Sequence, residues 1–193
     1  FNKFNDNTFY IPTGVDTDKF KYLPEFRNTG RTVFVWTGMV WGEIIFNNVK
    51  FLIDCFDRLY KNNRNIEFRI AGDGGFMPKL ADYARSKVSA VSIKFYDYIR
   101  PDSIPEFLNQ CDVGLLPLMP DTDNYQWFAA KSPTKLFEYM SVGLASIAHN
   151  FGESPKIIQN HYTGLTADND EQFYEYMVKL AADSAFRRRL GEN

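Results

Sequence analysis

Residues 32–38 read TVFVWTG and residues 66–75 read IEFRIAGDGG; between them, 46–61 carries Val49, Leu52, Ile53, Phe56, Leu59 and Tyr60 at helical spacing. The first stretch is β-branched and aromatic and stops at Gly38, which is the pattern of a buried strand. The second is a strand ended by Gly72, Asp73, Gly74 and Gly75. The alternation then repeats down the chain. Strands are expected at 92–96, 112–116, 144–148 and within 162–167. Helices are expected from Pro78 to Lys87 and over 104–110, 132–142, 155–159, 171–182 and 185–190. Strands alternating with helices predict an α/β fold, a Rossmann-like parallel sheet with helices on both faces. Ligands of such sheets bind beyond the carboxyl ends of the strands, near the switch in strand order. The loops at Gly38, Gly72, Tyr98 and 119–132 all follow strands and are expected to share that edge. Residues 119–131 hold Asp121, Asp123, Asn124, Gln126 and Trp127 without a period and read as a long loop, a feature often tied to function.

Composition narrows the class. The 193 residues are 45% hydrophobic and 24% charged, the usage of an ordinary globular chain, so disorder is excluded. Apolar runs are too short to span a bilayer. A formal net charge of -2 argues against nucleic acid as the main partner. Two cysteines, Cys55 and Cys111, are too few for a disulfide framework and fit a reducing cytosol. The chain opens at Phe1 without a Met and stops just after a helical pattern. The reading is therefore one domain, 1–193, cut from a longer two-domain chain.

The strongest local signal is SPTKLFEYM at 132–140. Ser132 is a good N-cap and Pro133 a good first helical residue, predicting a sharp helix start. A helix start offers free N–H groups and partial positive charge to a phosphate, and Lys135 adds a full charge there. Lys135 and Glu138, three apart, share a face, while Leu136, Phe137 and Met140 can pack inward. The pattern fits two readings: a phosphate site with a carboxylate one turn deeper, or a capped surface helix with a Lys–Glu pair. Gly72 and Gly74 resemble the start of a dinucleotide fingerprint, but the third glycine falls at Met77 and Pro78 opens the next helix. His149 and His161 have no metal-ligand spacing and read as solvent-side or satisfied loop histidines.

The ordered set of motifs resembles GT-B glycosyltransferases. Ile11-Pro12-Thr13-Gly14-Val15-Asp16 ending in Phe20 is similar to the "IPNGVD…F" opening of their second domain. The TVFVWTG strand, IEFRIAGDGG, Asp112-Val113-Gly114-Leu115-Leu116-Pro117, SPTKLFEYMSVGLASIA and Tyr162-Thr163-Gly164-Leu165 follow in the family's order. The chain is identified as a member of glycosyltransferase family 4, the retaining sugar-nucleotide enzymes.

The resemblance implies that this domain holds a nucleoside diphosphate sugar. A missing N-terminal domain would hold an acceptor glycan or lipid-linked acceptor. It also implies no metal and no other cofactor at the diphosphate, and no transfer by the isolated domain. By the match, Glu138 accepts the ribose hydroxyls. Ser132, Pro133, Thr134 and Lys135 meet the phosphates, with Lys135 and Glu138 as the catalytic pair. The loop at Tyr98 and Ile99 holds the base, and Gly38, Gly72 and Gly74 bring backbone to the donor. The family implies a cytoplasmic protein, with a peripheral place at the inner face of a membrane compatible with a lipid-linked acceptor. The chain also departs from the pattern. The first Glu of the family's Glu–seven residues–Glu motif falls at Ala130. Met39 and Asn47 stand where cations are usual, which leaves Lys135 and Lys131 to meet the diphosphate. Two rival readings remain open at this point: a nicotinamide-dependent oxidoreductase domain using the glycine turn, and a non-catalytic relative binding a sugar nucleotide or a protein.

Overall fold

The computed structural model describes residues 7, 9, 11–27, 30–118 and 129–193. They build a six-stranded sheet in the order β3-β2-β1-β4-β5-β6, with every pairing parallel. The strands are β1 (Thr32–Met39), β2 (Ile66–Asp73), β3 (Ile93–Tyr96), β4 (Val113–Leu116), β5 (Ala145–His149) and β6 (Leu165–Ala167). The helices are α1 (Glu43–Tyr60), α2 (Met77–Arg85), α3 (Ile104–Asn109), α4 (Thr134–Ser141), α5 (Ser154–Ile157), α6 (Asp170–Ala182) and α7 (Ser184–Glu192). The expected elements are thus present, with boundaries shifted by a few residues. Of the loop expected over 119–131, residues 119–128 lie outside the described residues, and Ala129 and Ala130 are helical.

The apolar run of β1 is continuous because both of its faces are covered. Phe34 and Trp36 point into a core with α1, α2, α6 and α7, while Val33 and Val35 point into a second core with α3 and α4. This period-two division of one apolar strand between two layers is what places helices on both faces.

Strand order reverses between β1 and β4, and there the ladder is short. Only Phe34↔Val113 and Val35↔Gly114 pair. Side chains close both ends of this seam. At its start, the Val33 N–H donates to Asp112 Oδ2 at 2.8 Å. At its end, the Thr37 N–H donates to the Tyr139 hydroxyl at 3.1 Å, and the Thr37 hydroxyl lies 3.2 Å from the same oxygen. Tyr139 is fully buried, and its ring occupies the space above Gly114, where an added Cβ would come within 2.3 Å of it. The fully buried pair on α4 is therefore Leu136 and Tyr139; Phe137 and Met140 are half-buried. The sequence pattern missed Tyr139 because its role is a polar one: it supplies the acceptor that a splayed strand has lost.

This arrangement carries a stability test. Tyr139→Phe keeps the ring and leaves the Thr37 N–H orphaned in a dry site, a loss of about 1–3 kcal/mol. Urea unfolding is expected to show a lower midpoint at unchanged m. If ring burial alone held α4 in place, the variant would match the wild type.

Candidate functional site

The crevice beyond the carboxyl ends of β1 and β2 is made by glycine. In register, Gly38 faces Gly72, and a Cβ on Gly72 would sit 1.7 Å from the Gly38 carbonyl oxygen. Their φ values are +155° and +147°, which side chains seldom adopt. Gly38 has a second use, since a Cβ there would meet the Lys135 side chain at 2.9 Å and the Trp36 ring at 3.0 Å. The missing side chain is the passage by which Lys135 reaches the crevice. The resulting cavity is about 470 Å³ and is shared by the ends of β1 and β2, the Tyr98–Ile99 loop, α4 and the 16–20 turn.

The first turn of α4 is uncapped by any side chain. Pro133, not Ser132, holds the N-cap position, with ψ at 72°. The expected Ser132 cap fails for a local reason. Proline at the boundary keeps an extended turn, so the Thr134 N–H bonds the Ser132 carbonyl at 3.1 Å and the serine hydroxyl falls outside the helix. Lys135 lies over the Trp36 ring, 5.7 Å from its centroid. Glu138 follows one turn later on the same side of the cavity.

Neither Lys135 nor Glu138 has a hydrogen-bonding or ion-pairing side-chain partner among the described residues, although both are half-buried. Burial lowers the Lys135 pKa, Lys131 adds to that, and Glu138 opposes it. Burial raises the Glu138 pKa against the pull of Lys135. The site thus holds a cation and a carboxylate whose mutual attraction does not offset the cost of burying them. An anion would stabilise the first, and hydroxyl donors the second.

Of the residues singled out in the sequence, Gly38, Gly72, Tyr98, Ile99, Thr134, Lys135 and Glu138 line this one cavity. Ser132 and Pro133 instead line a neighbouring cavity of about 330 Å³, which shares Met39, Thr134 and Lys135 with the first. Gly74 lines neither. It packs against the Val40 backbone, where an added Cβ would meet Val40 oxygen at 2.4 Å. That makes it a packing turn, and Pro78 in the first turn of α2 leaves no glycine-lined helix start there.

Sequence reasoning did not assign the cavity residues Asp16, Lys19, Phe20 and Asp102. Asp16 folds its own turn by accepting the Asp18 N–H at 3.0 Å, which aims Lys19 and Phe20 at the cavity. The Asp–x–x–Lys spacing of that turn was the available signal.

The other reactive groups lie elsewhere. His149 ends β5, buried rather than on a loop, and its Nδ1 accepts the Leu118 N–H at 3.1 Å. Burial pushes the Cys55 and Cys111 thiols up to about 12, which removes them as nucleophiles at neutral pH. Among the described residues, no three His, Cys, Asp or Glu side chains gather as a metal site would require.

The six-stranded parallel sheet makes this an α/β protein, and comparison makes the class specific. The family model described as glycosyl transferases group 1 matches residues 31–183, so the chain belongs to that family. Solved structures share the fold at low identity. The glycosyltransferase WaaG, involved in lipopolysaccharide biosynthesis, is 19% identical with a TM-score of 0.71, over 94% of this chain and 49% of that one. The C-terminal domain of LpcC from Francisella tularensis is 16% identical at 0.69, over 93% and 94%. HepE of Anabaena, solved with UDP-glucose, is 16% identical at 0.70, over 93% and 49%. The chain thus spans about half the length of WaaG and HepE, and 31% of S. aureus TarM. No curated protein sequence matches the chain. No helix among the described residues is long and apolar enough to cross a membrane.

The shifted pKa of Glu138 gives a pH test. The folded chain holds the Glu138 proton more tightly than the unfolded chain. Stability is therefore lost as pH rises from the ordinary carboxylate range through the raised value. Glu138→Gln removes this penalty. Its Tm without ligand is expected to exceed that of the wild type at pH 7 by about 1–2 °C, the scale of a 0.5 kcal/mol change in a chain this size. The gap should close near pH 4. A variant less stable than the wild type at pH 7 would contradict the burial argument.

Proposed function

We propose that this chain is the sugar-nucleotide half of a retaining glycosyltransferase that transfers a sugar, of hexose type, to an acceptor hydroxyl. The observation that carries the reading is the pair Lys135 and Glu138, half-buried and without a hydrogen-bonded side-chain partner among the described residues, on the cavity beyond the ends of β1 and β2. The nucleoside lies in the larger cavity, its base against Tyr98 and Ile99 and its ribose hydroxyls on Glu138. The diphosphate meets the uncapped start of α4 and Lys135. As the bond from sugar carbon to phosphate oxygen loosens, charge grows on the leaving diphosphate. A fixed ammonium and aligned N–H groups stabilise that charge without reorganising. An acceptor hydroxyl then attacks on the face the leaving group vacates, its proton passing to the departing diphosphate oxygen, and configuration is retained. The reading needs no metal, because the chain supplies its own cations.

The acceptor, a glycan or a lipid-linked one, belongs to a second domain. The near-complete coverage of the LpcC C-terminal domain, against about half of WaaG, supports that division. This chain alone is then expected to transfer nothing. The UDP-glucose bound to HepE supports a sugar-nucleotide ligand. Two free, buried cysteines suit a cytoplasmic setting.

A nucleoside diphosphate at 100 times its dissociation constant is expected to stabilise the chain by about 2.7 kcal/mol, with or without EDTA. Screening UDP, GDP and ADP by thermal shift checks this. Calorimetry then separates the two residues. Glu138→Ala should weaken the nucleotide roughly 10- to 100-fold and spare inorganic pyrophosphate. Lys135→Ala should weaken both, and less so in high salt. Unchanged nucleotide affinity in both variants would remove the site assignment.

A further inference from the structure

The second cavity differs in kind from the first. Trp36, Met39, Trp41, Ile45, Leu116 and Leu118 form most of its wall, with Asn48 as a polar residue beside them, and no carboxylate lines it among the described residues. Its cations, Lys131 and Lys135, lie with Ser132 and Thr134 on the segment that leads into α4. The first cavity, by contrast, is lined by Asp16, Asp73, Asp102 and Glu138. Met39 and Trp41 lie together on the wall, the Trp41 indole N–H pointing to the Met39 sulfur at 3.2 Å. Trp41 nevertheless stays 65% exposed, its ring still open to a ligand.

We infer that this cavity takes the sugar of the donor and selects one carrying a methyl-bearing substituent, an acetamido or a 6-deoxy group, over a fully hydroxylated hexose. The inference rests on the donor-site reading above and adds the class of sugar. Continuity places the sugar: the two cavities meet at Thr134 and Lys135, so a diphosphate held there points its nucleoside into the first and its sugar into the second. The volume, about 330 Å³, is at the small end of ligand sites and has room for one ring. The wall chemistry then selects. Sugar hydroxyls are commonly held by carboxylates that accept two at once, and among the described residues none lines this wall. A hydroxyl turned toward Trp41 and Met39 loses its water and meets no oxygen acceptor on either side chain, whereas a methyl group gains by leaving water. An apolar pocket discriminates in this way by about 10- to 100-fold.

Calorimetry with matched donors tests it. UDP-N-acetylglucosamine is set against UDP-glucose, and GDP-6-deoxymannose against GDP-mannose, for whichever base binds. The methyl-bearing member is expected to bind about 10- to 100-fold more tightly. A preference in the first pair identifies an acetamido group, and in the second a 6-deoxy group. Trp41→Ala, at an exposed position outside the core, should bring the two members of the pair together, and Trp41→Phe should keep them apart. Equal affinity within each pair, with the nucleotide still bound, overturns the sugar assignment and leaves the donor site standing. A preference untouched by Trp41→Ala overturns the role of this wall. Absence of binding by every nucleotide and sugar nucleotide removes the donor site itself, and the inference with it.

Discussion

The Thr37 N–H is a donor that β4 does not reach, and the rest of the site follows from how it is satisfied. A parallel sheet that reverses its strand order must let two neighbouring strands diverge, and the divergence exposes backbone groups in a dry interior. Here the Tyr139 hydroxyl takes the orphaned group. The bond does more than stop a gap. It pins the middle of α4 to the end of β1, with the tyrosine ring pressed on Gly114 of β4. Lys135 and Glu138, a turn before Tyr139 and immediately before it, are thereby held on the crevice. The short β1/β4 ladder and the candidate site are neighbours because one side chain closes the first and positions the second.

Around that anchor, the chain leaves unfavourable groups in place. The lowered Lys135 pKa and the raised Glu138 pKa both record burial that no hydrogen bond offsets among the described residues, whereas the carboxylates of Asp57 and Asp112 accept backbone N–H groups. Asp57, for example, accepts the Ser89 N–H at 2.9 Å and lies 3.2 Å from Lys61. Two facing glycines, in backbone regions that side chains seldom adopt, lie on the same edge. Natural chains concentrate such features where a ligand is to complete them. The concentration at one edge of the sheet, with the opposite edge closed by Asp112 and Arg27, gives the molecule its polarity of function.

The layered fold was legible because it rests on repeated, local signals. A strand such as TVFVWT is apolar on both faces, and α1 carries its stripe at helical spacing; each pattern has a single economical home in a parallel sheet. Gly38 and Gly72 were legible as strand stops for the same local reason. Ser132 misled because capping propensity is a property of residue type, whereas the actual cap depends on the backbone that Pro133 imposes. The close packing of Gly74 on the Val40 backbone was hidden for the opposite reason, since it depends on a contact across the chain and not on residue type.

By itself, the order of residues determined the α/β alternation, the edge of the sheet that carries the site, and the pairing of Lys135 with Glu138 on one helical face. Each depends on spacing along the chain, which needs no knowledge of distant neighbours. Only the tertiary structure decided that Tyr139 joins Thr37, that Lys135 threads past Gly38 over Trp36, and that two chemically different cavities meet at the start of α4. Those facts join residues as far apart as Thr37 and Tyr139, and they arise from where two diverging strands leave room and unmet hydrogen bonds.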